Sequence, residues 1–136
     1  MVKTPQQKAS KTQEKRLAKQ VSQSLQEDAK VQVGSGNQWY AKSDVVSQTL
    51  RIEAKTKVKE SKTFSIKKEW LDKIKDETRG RDQIPVLAIS FDNKQDYYVL
   101  DSEDVLNMIA ELAELREIQR KVETPIDEPT LDKSTL

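Results

Sequence analysis

The chain of 136 residues contains no cysteine and no histidine. Thiol nucleophiles, Ser-His-Asp arrangements and imidazole bases are thereby excluded, as are thiolate and imidazole metal sites. Any bound metal has to be held by oxygen. No disulfide can staple the fold, so nothing supports a secreted scaffold. Long apolar runs are also missing. The longest, Pro85 to Phe91, is interrupted by Ser90 and falls far short of the ~18 residues that a membrane span needs. The first residues are polar and lack the apolar stretch of a secretory leader. The expectation is an intracellular, cytoplasmic protein with no membrane partner.

Net charge is nearly absent as well, at +1, but this balance hides a split. Residues 1–68 carry 15 basic and 6 acidic side chains, whereas residues 69–136 carry 9 basic and 17 acidic. Between Lys55 and Lys68 stand Lys55, Lys57, Lys59, Lys62, Lys67 and Lys68 against the single acid Glu60. Such a run can collect phosphates, with binding that weakens steeply as salt is added. Lysines are equally ordinary on any solvated face.

The length suits one domain with a modest core. Leu17, Ala18, Val21 and Leu25 form a helical stripe within a helix expected from Ser10 to about Gln26, with Glu14 at the edge of its buried face. Residues 1–9 are expected to be a flexible N-terminus. Gly34-Ser35-Gly36-Asn37 reads as a turn or loop. Residues 38–46 and 49–58 read as paired strands joined near Ser47 and Gln48, Leu50, Ile52 and Ala54 alternating with Arg51, Glu53 and Lys55. Ser65 is the expected N-cap of a helix carrying Ile66, Trp70, Leu71 and Ile74 and ending before Gly80. Ile84 to Phe91 reads as a strand buried on both faces, followed by a turn at residues 92–95 and an antiparallel partner from Tyr97 to Leu100. Asp101 is expected to cap a last helix with a stripe of Val105, Met108, Ile109, Leu112 and Leu115. The order predicts an α/β domain over residues 10–123, a central mixed sheet flanked by helices, and a disordered acidic tail over 124–136.

One constellation carries chemistry. Glu53 and Lys55 lie two apart on a strand and project from the same face, while Ile52 and Ala54 fill the core. The turn near Ser47 would bring Asp44 close to Glu53. Two converging carboxylates repel, and a hard divalent cation such as Mg²⁺, with Mn²⁺ as a substitute, relieves that repulsion through oxygen ligands. Such an ion can activate a water toward phosphorus and offset charge on phosphoryl oxygens. Lys55 beside it would orient the water or stabilise the transition state. The plainer account is a wet strand face decorated with a Glu and a Lys.

Asp44, followed nine residues later by Glu53-Ala54-Lys55, resembles the core of the PD-(D/E)XK nuclease superfamily. More narrowly it is similar to the archaeal-type Holliday junction resolvases and their phage-borne relatives, which place an acid on a first helix and a serine-bearing loop before the hairpin. The matching positions here are Glu14, the loop Gly34-Ser35-Gly36-Asn37, Asp44, Glu53 and Lys55. Ser43 stands where the superfamily pattern has proline. The resemblance implies a restriction-endonuclease-like fold and a metal-dependent phosphodiesterase acting on DNA. It implies metal binding by Asp44, Glu53 and the Ala54 carbonyl, with Glu14 joining directly or through water. Lys55 would serve the attacking water, and Ser35 would lie near the scissile phosphate.

Lys57, Lys59 and Lys62 would meet flanking phosphates, and Lys8, Lys11, Lys15 and Arg16 would extend the strip. Trp39 and Tyr40 could stack on an unpaired base or pack in the core. The substrate expected is branched, four-way DNA. Two matched cuts suit a homodimer, because its two-fold symmetry matches that of the junction. The alternatives are a related exonuclease or repair endonuclease on nicked, single-stranded or terminal DNA, and a non-catalytic DNA-binding or phage structural protein.

Overall fold

The computed structural model describes residues 2–32 and 43–123. The expected glycine loop with Ser35, the aromatics Trp39 and Tyr40, and the acidic tail lie outside the described residues. Two units are distinguished, Met1–Leu100 and Asp101–Leu136.

The first helix, α1, runs from Pro5 to Leu25. It starts five residues before the expected Ser10, so residues 5–9 are helical where a flexible terminus was expected. The reason is a capping box. The Gln7 N–H donates to the Thr4 hydroxyl at 3.1 Å, and the Thr4 N–H donates to Gln7 Oε1 at 2.9 Å. Pro5 then occupies the first turn, where its missing N–H costs nothing. Leu17 and Val21 form the buried stripe, and Gln13 joins it one turn earlier.

Five strands follow in the spatial order β1-β2-β3-β4-β5: β1 (Lys30–Val31), β2 (Val45–Val46), β3 (Leu50–Thr56), β4 (Ile84–Ser90) and β5 (Tyr97–Val99). All neighbours are antiparallel except β3 and β4, which run parallel with Ala54 opposite Ala88. A parallel pair needs a crossover, here supplied by helix α2, Lys68–Glu77. Pro85 is tolerated near the start of β4. The Ile84 N–H bonds Thr49 on the β3 side, so the Pro85 nitrogen turns to the β5 side. There β5 pairs only with Leu87 to Ile89, and no ladder bond is lost.

The two faces of the sheet have different covers. Ile52, Ala54, Val86 and Ala88 pack with Val45 and with Leu17 and Val21 of α1 in one core cluster. Alternation turns Glu53, Lys55 and Leu87 to the other face, where Lys73 and Trp70 of α2 reach Glu53 and Lys55. Residues 86–90 are all buried, as the near-continuous apolar run predicts.

Helix α2 begins after Lys67, with no side-chain cap, rather than after Ser65. Ile66 consequently lies outside the helix and is exposed. The helix ends in a turn closed by Gly80, whose φ of +77° glycine adopts without penalty. In the second unit, α3 spans Ser102–Glu123, and its Glu103 N–H donates to Asp101 Oδ1 at 2.7 Å, the cap foreseen for Asp101. No helix among the described residues is long and apolar enough to cross a membrane.

Candidate active site

The site begins with an irregularity in β2. Val45 is the register partner of Ile52, yet the Asp44 N–H also reaches the Ile52 carbonyl, at 2.9 Å. Two consecutive residues therefore address one, as in a β-bulge, a device that re-aims a side chain. The Asp44 carboxylate turns onto β3 and accepts the Ala54 N–H through Oδ2 at 2.8 Å. In an extended strand the N–H and C=O of one residue face the same side, so the Ala54 carbonyl is directed toward the edge where Asp44 lies.

Ser43 fixes the approach to Asp44. Its buried hydroxyl donates to Glu77 Oε1 at 2.6 Å and accepts from Arg51 Nη1 at 3.1 Å. Arg51 Nε also donates to Gln83 Oε1 at 2.8 Å, and Gln83 Nε2 donates to the Ser47 carbonyl at 2.7 Å. A buried, hydrogen-bonded serine thus holds the backbone just before Asp44.

Glu53 is only 4% exposed and is paired twice, with Lys73 Nζ at 3.2 Å on Oε1 and with Lys55 Nζ at 3.5 Å on Oε2. Lys55 is also held over the Trp70 ring, 4.7 Å from its centre. A buried carboxylate and an aromatic face together fix where its ammonium points. Burial first, and then the charges of Glu53 and Glu14, push the Asp44 carboxyl from its ordinary 3.8 to about 7, against the Ala54 hydrogen bond. Burial likewise raises Glu14, with Glu53 adding to the rise and Lys11 opposing it. Burial alone would depress the Lys73 ammonium, but the charge and hydrogen bond of Glu53, aided by Glu77 and Asp44, hold it above its usual range. Glu14, Asp44, Glu53 and Lys55 are thus gathered in one electrostatic neighbourhood.

The donor set is one of oxygens carrying more negative charge than its buried position favours, which suits a hard divalent cation. Among the described residues no three acidic side chains stand close enough together to hold a metal ion as they are. Both oxygens of Glu53 face ammonium groups, so a cation would have to replace one of them.

Beyond Lys55 lies a cavity of about 470 Å³ lined by Lys55, Lys57, Phe64, Ser65 and Trp70 of the β3–α2 region, with Ser10 of α1. Lys57 sits 5.3 Å from the centre of the Phe64 ring. Lys59 and Lys62 are exposed on the segment after β3, and Lys15 is exposed on α1. Arg16, expected on the same strip, is instead engaged within the fold. It grips Asp96 through Nε at 2.7 Å and Nη2 at 2.8 Å, and donates to the Asn93 carbonyl at 2.7 Å.

Sequence reasoning passed over two residues. Gln13 is fully buried, and its Nε2 donates to the Lys55 carbonyl at 3.0 Å and to Asp96 Oδ1 at 3.1 Å, tying α1 to the strand that carries Lys55. Its signal was a polar residue one turn before Leu17 on an apolar stripe. Lys73 was detectable only as a basic residue beside Ile74, an unremarkable position until the fold places it on Glu53. No family model, curated protein or solved structure matches the chain.

Proposed function

We propose that the chain is a divalent-metal-dependent endonuclease with a restriction-endonuclease-like core, hydrolysing phosphodiester bonds in branched DNA. The observation that carries this reading is the Asp44 carboxylate, re-aimed onto the Ala54 N–H and pushed to about 7 beside Glu53 and Glu14, with Lys55 oriented at the same place. Structural carboxylates are ordinarily placed where their charge is favoured. Here burial and like charge both oppose it, the pattern of a functional site.

A divalent ion held by Asp44, Glu53, the Ala54 carbonyl and Glu14, with Mg²⁺ or Mn²⁺ fitting the donors, would neutralise charge on the phosphate and lower the pKa of a bound water toward attack. Lys55, restrained by Glu53 and Trp70, presents its ammonium to the water or to the charge developing on phosphorus. Lys73 offsets part of the Glu53 charge. Lys57, Lys59 and Lys62, with Lys11 and Lys15, hold the flanking phosphates by charge without reading bases, which suits recognition of shape. A two-fold pair of chains would deliver two symmetric cuts.

The test is a panel of labelled four-way junction, linear duplex and single strand, with Mg²⁺ and with EDTA. Paired symmetric nicks confined to the junction and requiring Mg²⁺ are expected. Asp44→Asn and Lys55→Ala should each slow cutting by on the order of 10² or more, while junction binding, carried by the lysines, largely survives. Degradation from ends would replace this reading with an exonuclease. Binding without cleavage under all ions would replace it with a non-catalytic DNA-binding role.

A further inference from the structure

Helix α3 buries none of its residues. Apart from the half-buried Val105, its large apolar side chains are exposed, including Met108 at 37%, Leu112 at 46%, Leu115 at 62% and Val122 at 70%. They are not scattered. Val105, Met108, Leu112, Leu115, Gln119 and Val122 are spaced three, four, three, four and three apart, the alternation of a coiled-coil seam. Within a helix of 22 residues, about 33 Å, this places Val105, Leu112 and Gln119 at a positions and Met108, Leu115 and Val122 at d positions, two full heptads and part of a third.

The charges beside the seam say what covers it. In this register Glu111 falls at g and Arg116 at e. They are five residues apart, too far round a single helix to pair with one another, and neither forms an ion pair among the described residues. Five is the spacing at which a g residue meets the following e residue of a parallel partner. Both copies of a two-fold pair would therefore join Glu111 to Arg116 of the other. Gln119 selects the same direction. A parallel pair sets each Gln119 amide against its own copy, where the two can hydrogen-bond. An antiparallel pair would set it against Met108 and leave the buried amide without a partner.

We propose that the occupant of this face is a second copy of the chain, docked in parallel through α3 as a two-stranded coiled coil. The proposal does not depend on the nuclease reading, although it would supply the two-fold pairing that reading calls for.

The experiment uses the full chain, with mass measured by sedimentation equilibrium over a range of concentrations. The expected result is twice the chain mass, with Leu112→Glu shifting the protein to monomer while circular dichroism shows the remaining fold intact. Glu111→Lys and Arg116→Glu each set like charges across the seam and should weaken association by about tenfold at low salt. The double reversal Glu111→Lys with Arg116→Glu should restore it, and added salt should shrink all three differences. A monomer at every concentration would overturn the proposal and leave the stripe to other residues of the chain or to a different protein. A trimer or larger would overturn the two-stranded form. Loss in both single variants without recovery in the double would overturn the parallel direction.

Discussion

At Asp44, burial and like charge act in the same direction. The carboxyl is raised from 3.8 to about 7 by burial and by the charges of Glu53 and Glu14. The folded protein therefore binds a proton that the unfolded chain has already released between these two values. Stability declines as pH rises through that window and levels off above about 7. Asp44→Asn removes the charge while keeping an acceptor for the Ala54 N–H. In EDTA, thermal unfolding should show little difference between variant and parent near pH 4. By pH 8 the variant should be more stable by on the order of 2–4 kcal/mol. A gap independent of pH would mean that Asp44 is not strained by its surroundings. The spacing of Glu53 and Lys55 was legible because strand alternation alone puts both on one face. The nearness of Asp44 was legible from the short turn at Ser47. The bulge that aims Asp44 was not, because it depends on a backbone hydrogen bond shared at Ile52. Nor was Lys73, whose role depends on how α2 lies across the sheet.

Among the elements, α1 has the most demanding task, since it must carry Glu14 to the end of β3. Its anchor is a buried polar cluster. Asp96, 2% exposed in its side chain, accepts from Arg16 and from Gln13, and the Asn93 side chain donates back to the Ala9 carbonyl at 3.2 Å. Removing the shared acceptor leaves a guanidinium and an amide without their buried partner. Asp96→Ala should therefore cost about 3 kcal/mol in urea unfolding; a loss within experimental error would show that the cluster does not hold the helix. Periodicity found this helix and its buried Leu17 and Val21, but missed its start. Thr4, Pro5 and Gln7 are each ordinary polar or turn residues, and only in combination do they make a capping box. At α2 the error was of the opposite kind. Ser65 is a good capping residue by type, yet the helix starts after Lys67 with its first N–H groups uncapped by any side chain. Strand β4 was the most legible element, because a run from Ile84 to Ser90 with no charge leaves few alternatives to burial.

Over the whole molecule, the order of elements largely determines the sheet. A parallel pair needs a long crossover, which α2 supplies between β3 and β4, whereas a tight turn joins antiparallel neighbours. β3, β4 and β5 follow that rule. The unequal charge of the two halves also has a structural counterpart. Lysines follow β3 toward the cavity that Lys55 opens onto, whereas α3 carries acidic side chains beside an apolar seam. Sequence alone could list the seam residues but not their exposure, and exposure is what makes the stripe available for the proposed pairing.

All of the proposed chemistry requires that Asp44 and Glu53 share one cation. Crystals of the full chain grown with Mn²⁺ and recorded at the manganese absorption edge test this most directly. The expected result is an anomalous peak in contact with both carboxylates, at about 2.2 Å, with at least one ammonium group moved off Glu53. A peak elsewhere, or none while Lys55 and Lys73 still bridge Glu53, would contradict it.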